Sequence, residues 1–425
     1  MKSKIALILI LSLIGNAELL TISQAYQLAL KNSKELRASK YQMEANREQL
    51  NQAKATLYPQ VYFSTSYGKK SYGQRDSGRI STYAISVNEP IFDIYKMSKI
   101  DIEKSKIELD RYRFGIEKQD LVKRVLNLYM NILKSQNKIE VYSAYIKSKE
   151  KKVQLLDRKL SLKLSTKTEL LQGEVDYHFS LMDLKKERKN IRVNKLKLKH
   201  LVGLSSVEIP NINLDLIDEN IISQMKNIIE KNSHKYISNL KIKESQARVE
   251  LSKKYVNSAK SEHLPTVNLN AQYSKINADP EVSSLENTKS ISIQFQIPIY
   301  TGGATESRVE ASKLSLNSAK EQLSQIEDEV KEEYEENLAL FDSSIKSFNL
   351  YKEALNSANE YLYSIEREFN AGLKSSLDLA DAKSRLYEVK YRFVENLYDI
   401  VNSYINLLIA TNSLEDLNIV DNIIR

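Results

Sequence analysis

Between Ser290 and Ile297 small polar and large apolar residues alternate strictly. Ile291, Ile293, Phe295 and Ile297 fall on one side of an extended chain, and Ser290, Ser292, Gln294 and Gln296 on the other. A period of two is that of a strand with one greasy and one wet face. Pro298 has no N–H to give a ladder, and Gly302-Gly303 marks a turn into a long helical pattern. Three other stretches read the same way. Val61, Phe63, Thr65 and Tyr67 alternate with Tyr62, Ser64 and Ser66, and Tyr83, Ile85 and Val87 with Ala84, Ser86 and Asn88, where Pro90 is expected to close the strand. Val267, Leu269, Ala271 and Tyr273 alternate with Asn268, Asn270, Gln272 and Ser274. The pattern predicts two β-hairpins, over 60–89 and 266–297.

The rest of the chain has a helical period. Val125, Ile132, Ile139, Ile146, Val153 and Leu160 recur every seven residues, and so do Tyr334, Phe341, Phe348, Leu355, Leu362 and Phe369. Such heptads mark a coiled-coil-like seam. They predict long helices over 94–161 and 303–371, each about 100 Å at ~1.5 Å per residue. Shorter helices are expected from Ile22 to about Tyr58, over 167–202 with Gly203 as its cap, and over 375–410. Ile22–Leu57 and Lys167–Val202 each count 36 residues, so laid end to end they match the first long helix.

The plan occurs twice. Ile22-Ser23-Gln24 and Lys31-Asn32-Ser33 return as Ile222-Ser223-Gln224 and Lys231-Asn232-Ser233, 200 residues later. Leu57-Tyr58-Pro59 returns as His263-Leu264-Pro265 at 206 residues, so the second copy gains about six residues in its first helix. Pro90 and Pro298, and Asp120-Leu121-Val122 and Asp328-Glu329-Val330, are 208 apart. Matched breakers in the same order argue for a duplication. The expected division is a first repeat over 18–203, a linker over 204–217, a second repeat over 218–412 and a tail over 413–425.

Composition narrows the class. The 425 residues include only 10 Gly and 6 Pro, which suits few, long helices. With no Cys there are no disulfides and no thiolate metal sites. His178, His200, His234 and His263 lie far apart, so no metal site, cofactor or catalytic constellation is expected, and the chain is not read as an enzyme. Met1–Ala17 has Lys2 and Lys4, the apolar run Ile5–Ile14 and then Gly15-Asn16-Ala17, which reads as a secretory signal. Its removal lowers the net charge from +8 to +6. That modest excess, spread along helices, reads as solvated faces, and no nucleic-acid partner is expected.

The strands have about the length that a tilted strand needs to cross a bilayer, ~9–11 residues. A membrane admits only helices or closed barrels. Four strands cannot close, since outer-membrane barrels begin at about eight. Several chains must then share one barrel, three of them giving twelve strands. The wet faces carry Ser, Asn and Gln rather than Lys and Glu, which suits a water-filled lumen. Val61, Phe63, Tyr83, Ile85, Val87, Val267, Leu269, Ile291, Ile293 and Phe295 would then face outer-membrane lipid. Tyr62, Tyr67, Tyr83 and Tyr273 are candidates for an interfacial girdle or for packing.

With these features in order the chain resembles the trimeric outer-membrane efflux and secretion ducts of the TolC type, over essentially all of 18–412. The resemblance rests on the duplicated plan, on Leu57-Tyr58-Pro59 and Leu264-Pro265-Thr266 before strands, and on Pro90-Ile91-Phe92 and Pro298-Ile299-Tyr300-Thr301-Gly302-Gly303 after them. Most specific is Phe369-Asn370-Ala371-Gly372 followed by Leu377-Asp378-Leu379-Ala380-Asp381-Ala382. It implies a mainly α fold with a membrane β-barrel part: a homotrimer whose twelve-stranded barrel continues into a periplasmic α-helical barrel, in the outer membrane of a Gram-negative bacterium. The implied function is an exit duct for a tripartite efflux pump or type I secretion system, with a periplasmic adaptor (membrane fusion) protein and an inner-membrane transporter as partners. A poreless periplasmic coiled-coil adaptor or scaffold is the alternative, against which the four strands count.

The resemblance also places a gate at the inner tip, with Asp378, Asp381, Lys374 and Glu169 as its residues. Ser375-Ser376-Leu377-Asp378 and Thr166-Lys167-Thr168-Glu169 are equally capping boxes, so capping stays open for Asp378 and Glu169, and an ordinary solvated lysine for Lys374. Asp381 has no capping role. Leu164, Ser165, Gly372, Leu373 and Ser376 would dock the adaptor. Lys163 stands where a first-copy tip usually has Gly, and Ser33 and Ser233 where members often have Pro.

Overall fold

The computed structural model describes residues 19–72, 75–210, 219–279, 287–417 and 419–420. The signal sequence, residues 211–217 of the expected linker and most of the second hairpin's loop lie outside them. In chain order the first copy contributes α1 (Ile22–Asn32), α2 (Lys34–Ala55), β1 (Gln60–Tyr72), β2 (Arg75–Asp93), α3 (Ile94–Ser161) and α4 (Lys167–Val202). The second contributes α5 (Glu219–Asn232), α6 (Leu240–Ser261), β3 (Thr266–Ala278), β4 (Asn287–Gln296), α7 (Ala304–Asn370) and α8 (Ser376–Ala410). Among the described residues no helix is long and apolar enough to cross a membrane.

The chain forms two compact units, and α3 and α7 each contribute to both. One unit holds residues 35–116 and 240–329. Its sheet is antiparallel in the order β1-β2-β3-β4. Beside it α2 meets α3 through Asn46 Nδ2 donating to Asp110 Oδ2 at 2.5 Å. The same helix meets α6 through Arg113 and Glu244 (3.0 Å) and through Ser98 donating to Ser258 Oγ (2.9 Å).

Pro90 does not end β2, contrary to expectation. The strand continues to Asp93, and its register with β3 shifts between Pro90 and Phe92. A bulge is how a ladder absorbs a residue that cannot donate. Asp93 Oδ1 then accepts from Lys96 N at 2.9 Å at the start of α3. In the second copy β4 does stop, at Gln296 just ahead of Pro298, and the chain turns through Gly302 and Gly303 into α7.

The second unit holds residues up to Lys34, 117–239 and from Val330 onward. Here the helices pack side by side in the order α4, α3, α8, α7. Ser135 donates to Glu187 at 2.8 Å between α3 and α4. Ser148 donates to the Ala380 carbonyl at 2.9 Å and Asn137 to the Tyr398 hydroxyl at 3.1 Å between α3 and α8. Asn396 donates to the Ser344 carbonyl at 3.0 Å, and the Phe348 ring packs tilted against that of Phe393, between α8 and α7. The heptad stripes are the core of this row, but unevenly. Val125, Ile132, Ile146, Tyr334, Phe341 and Phe348 are buried, whereas Ile139, Val153, Leu160, Leu355, Leu362 and Phe369 are only half-buried.

The single helix expected from Ile22 to about Tyr58 is two. Ser33 is extended (φ −61°, ψ 119°), and α2 has 22 residues. The cause is tertiary: Asn32 Nδ2 donates to the Val202 carbonyl at 2.5 Å, at the end of α4. The equal lengths read from 22–57 and 167–202 therefore do not describe two helices. In the second copy the six extra residues are a 3₁₀ segment, Ser233–Ser238. Beyond it Asn239 Nδ2 donates to the Ala410 carbonyl at 2.9 Å, at the end of α8. Asn239 thus does the work of Asn32, and Asn232 turns to Asp416 (2.9 Å) instead.

The stretches read as linker and tail are packed where they are described. Val207 and Ile209 are buried, and Leu20 N donates to the Glu208 carbonyl at 2.9 Å. After α8, Leu417 and Val420 are buried and Tyr404 donates to the Asp416 carbonyl at 3.1 Å.

Candidate functional sites: two helical turns and one sheet face

The turn between α3 and α4 and that between α7 and α8 have the same backbone. Lys163 N donates to the Leu160 carbonyl (2.9 Å) and Leu164 N to Lys159 (2.8 Å). Correspondingly, Gly372 N donates to Phe369 (3.0 Å) and Leu373 N to Glu368 (2.8 Å). This pair of bonds closes a helix over a left-handed residue. That residue is Lys163 in one turn (φ 59°) and Gly372 in the other (φ 77°). Lys163 therefore takes the conformation for which glycine was missed in the sequence. Leu164 and Leu373 project outward, 71% and 76% exposed.

Each turn ends in a capping box. Thr166 Oγ1 accepts from Glu169 N, and Glu169 Oε2 accepts from Thr166 N at 3.2 Å and from the Ser165 hydroxyl. Ser375 Oγ accepts from Asp378 N, and Asp378 Oδ2 accepts from Ser375 N (2.8 Å) and the Ser375 hydroxyl (2.7 Å). The capping reading is thus realised at both acids. The Ser165 hydroxyl, then the Thr166 N–H, holds the Glu169 carboxyl below the ordinary range. The Ser375 hydroxyl, then its N–H, does so for Asp378, with Lys374 and Lys159 adding their charge. Each carboxylate uses one oxygen in the cap, and the other has no hydrogen-bond partner among the described residues.

Asp381, one turn along α8 on the same face as Asp378, is held differently. Its Oδ1 accepts from Lys152 Nζ of α3 at 2.6 Å. Lys374 is exposed at the turn, and Ser376 is the first residue of α8. Sequence reasoning missed Lys152 and Lys159. They are seven apart on α3 and so share a face, a visible signal, but their acidic partners lie more than 200 residues on or across a turn. Among the described residues no three His, Cys, Asp or Glu side chains gather to hold a metal ion.

In the sheet unit the register carries all ten apolar strand positions onto one face. Val61 pairs with Val87 and Phe63 with Ile85. Ile85 pairs with Tyr273. Val267 pairs with Phe295, Leu269 with Ile293 and Ala271 with Ile291. Tyr83, opposite Thr65, shares this face. Val61, Phe63, Tyr83, Ile85, Ile291, Ile293 and Phe295 are exposed, Ile291 by 81%. Val87, Val267 and Leu269 are half-buried. Rings bound the face at both ends: Tyr67, Tyr83 and Tyr273 toward the hairpin loops, and Phe92 and Phe295 beside Val267 at the helix end. From Tyr273 to Val267 is six residues, about 20 Å at ~3.3 Å each. That approaches the ~25 Å apolar band between aromatic girdles in outer-membrane barrels. Glu89, opposite Leu269 and next to the bulge, is the acidic exception. Tyr62 points to the other face with Asn88, Asn270 and Ser292, its hydroxyl donating to Gln60 (2.6 Å).

The sequence profile of the outer membrane efflux protein family matches residues 25–204 and 236–413. The chain belongs to this family. Outer membrane protein TolC of Salmonella enteritidis is 24% identical over 435 residues, 98% of this chain and 87% of that one. Alkaline protease secretion protein AprF of Pseudomonas aeruginosa is 22% identical over 423 residues, covering 93% and 85%. The Campylobacter jejuni CmeC outer membrane channel shares the fold with a TM-score of 0.77 at 16% identity, over 92% of this chain and 85% of that one. As an outer membrane efflux protein the chain is an exit duct of the Gram-negative outer membrane, of the kind that serves efflux or type I secretion. The family is one of channels. The poreless scaffold finds no support among these relatives.

Proposed function

We propose that three copies close into one conduit: a twelve-stranded barrel whose greasy face meets lipid, continuous with a helical barrel that narrows at the two tip turns. The observation that carries this is the pair of open edges in each unit. β1 and β4 end the sheet with unpaired ladder groups, which neither a bilayer nor a soluble surface tolerates readily. In the helical unit α4 and α7 are the outer members of the row, and each presents an unpartnered heptad seam among the described residues. The α4 seam has the exposed large residues Leu171, Val175, Phe179, Met182, Val193 and Leu196. That of α7 alternates exposed Leu340, Leu350 and Tyr361 with small Ser343, Ala354 and Ser357. Large knobs facing small holes suit an edge-to-edge seam between copies.

The absence of cysteine makes the test clean. Met182→Cys combined with Ala354→Cys, joined by a bismaleimide in the membrane, is expected to give a covalent ladder ending at three chains. A ladder that ends at two, or no cross-link at all, would refute the ring.

The tips are the proposed gate and the docking point for a periplasmic adaptor, with an inner-membrane transporter beyond it. Support comes from Leu164 and Leu373, which project beside Ser165, Gly372 and Ser376. Asp378, Asp381, Glu169 and Lys374 would set the field of the constriction. Cross-linking from Leu164 and Leu373 in cells identifies the adaptor. If neither position captures a periplasmic protein, the docking assignment fails.

A further inference from the structure

We propose that Lys152 is the selectivity-determining residue of the tip, because it cancels the charge of Asp381 from within the same chain. The inference rests on the tip being the constriction of the duct. Asp378 and Asp381 share a face of α8, and a ring of three copies would bring six such carboxylates together. Read alone, that ring predicts a strongly cation-preferring path. The geometry says otherwise. Lys152 Nζ lies 2.6 Å from Asp381 Oδ1 and bridges α3 to α8. The lysine side chain is 22% exposed and that of the aspartate 49%. The acid therefore remains open to water while its charge is met at contact distance.

The other charges around the pair do not supply the same neutralisation. Lys149, one turn earlier on α3, is turned to Asp176 of α4 at 3.7 Å. Lys383 on α8 pairs with Glu366 of α7 at 3.3 Å. Lys159 and Lys374 add their charge to the capped Asp378. Arg385, one turn beyond Asp381, is exposed. Among the described residues Lys152 is the one hydrogen-bond donor to the Asp381 carboxylate. A pair this exposed adds little stability. What it changes is the local field, to which permeating ions respond. The tip is thus less acidic than its two aspartates suggest, with Asp378 left as the one of the pair that no ion pair compensates among the described residues.

The test is the reversal potential of the purified full-length protein in planar bilayers under a potassium chloride gradient. Lys152→Met keeps the side chain's length and removes its charge. A unit charge freed in each chain that shifts the local potential by about one kT enriches potassium and depletes chloride about e-fold each, and so raises the potassium-to-chloride permeability ratio about sevenfold. Lys152→Arg is expected to hold the wild-type ratio. Adding Asp381→Asn to Lys152→Met is expected to cancel the increase. An unchanged ratio in Lys152→Met, or an increase that survives Asp381→Asn, overturns the assignment. Should Lys152→Met not reach the membrane, Lys152→Gln is read by the same criteria. Wild-type protein that passes no current would refute the duct itself, whereas a conducting wild type with an indifferent Lys152 refutes only this inference.

Discussion

Each copy of the repeat is bounded by two left-handed turns, and the copies place their glycine at opposite ones. The first copy has Lys163 (φ 59°) at the tip and Gly203 (φ 73°) after α4; the second has Gly372 (φ 77°) at the tip and Asn412 (φ 53°) after α8. Both pairs are 209 residues apart. At the tips the backbone hydrogen bonds are the same with lysine or glycine in the left-handed position, so there the bonds rather than residue type set the conformation. What differs is the surroundings. A Cβ at Gly203 would lie 2.8 Å from Asn32 Nδ2, the group that ties α1 to α4, whereas one at Gly372 would meet nothing within 4 Å. Glycine avoids crowding at the first and relieves only conformational strain at the second.

Substitutions sharpen this contrast. Gly203→Ala is expected to cost about 2–3 kcal/mol, combining left-handed strain with displacement of Asn32. Thermal unfolding in detergent should show it, and a cost no larger than that of Gly372→Ala would erase the distinction. Gly372→Ala is expected to cost about 1 kcal/mol, the conformational part alone. Hydrogen exchange confined to the second tip reads it. Lys163→Gly goes the other way, stabilising the first tip by about 0.5 kcal/mol, because relief of strain outweighs the freer unfolded chain. An increase in exchange there would contradict the left-handed assignment.

The smallest effect is shared by both tips. Glu169 and Asp378 have carboxyls depressed by their caps. Such groups contribute stability that is present above the unfolded pKa and lost as pH falls through the folded one. The first turns of α4 and α8 should therefore loosen together below about pH 4, where unfolded carboxyls titrate. Exchange corrected for its intrinsic pH dependence measures this, and loosening at one tip only would show that the boxes are not equivalent.

Much of this was legible in the chain because its signals are local and periodic. The alternation at Ile291, Ile293 and Phe295 places those residues on one sheet face, and the two heptad stripes lie in the core of the helical row. The capping boxes at Thr166 and Ser375 could be read letter by letter. What was not legible depends on distant partners. Ser33 breaks a helix because Asn32 binds a carbonyl 170 residues away. Pro90 sits inside a strand because β3 can shift register around it. Asp381 looked like an unaccompanied acid because Lys152 is 229 positions distant. Lys163 showed a left-handed turn only through its position where the family usually has glycine, because by residue type that preference belongs to glycine and asparagine.

The most direct measurement is single-channel conductance of the purified protein in planar bilayers, wild type against Asp378→Ala combined with Asp381→Ala. A gated trimeric duct predicts a small, steady wild-type conductance that rises when the acids and the tie to Lys152 are removed. No conductance from either protein, or equal conductance with unchanged ion preference, would contradict it.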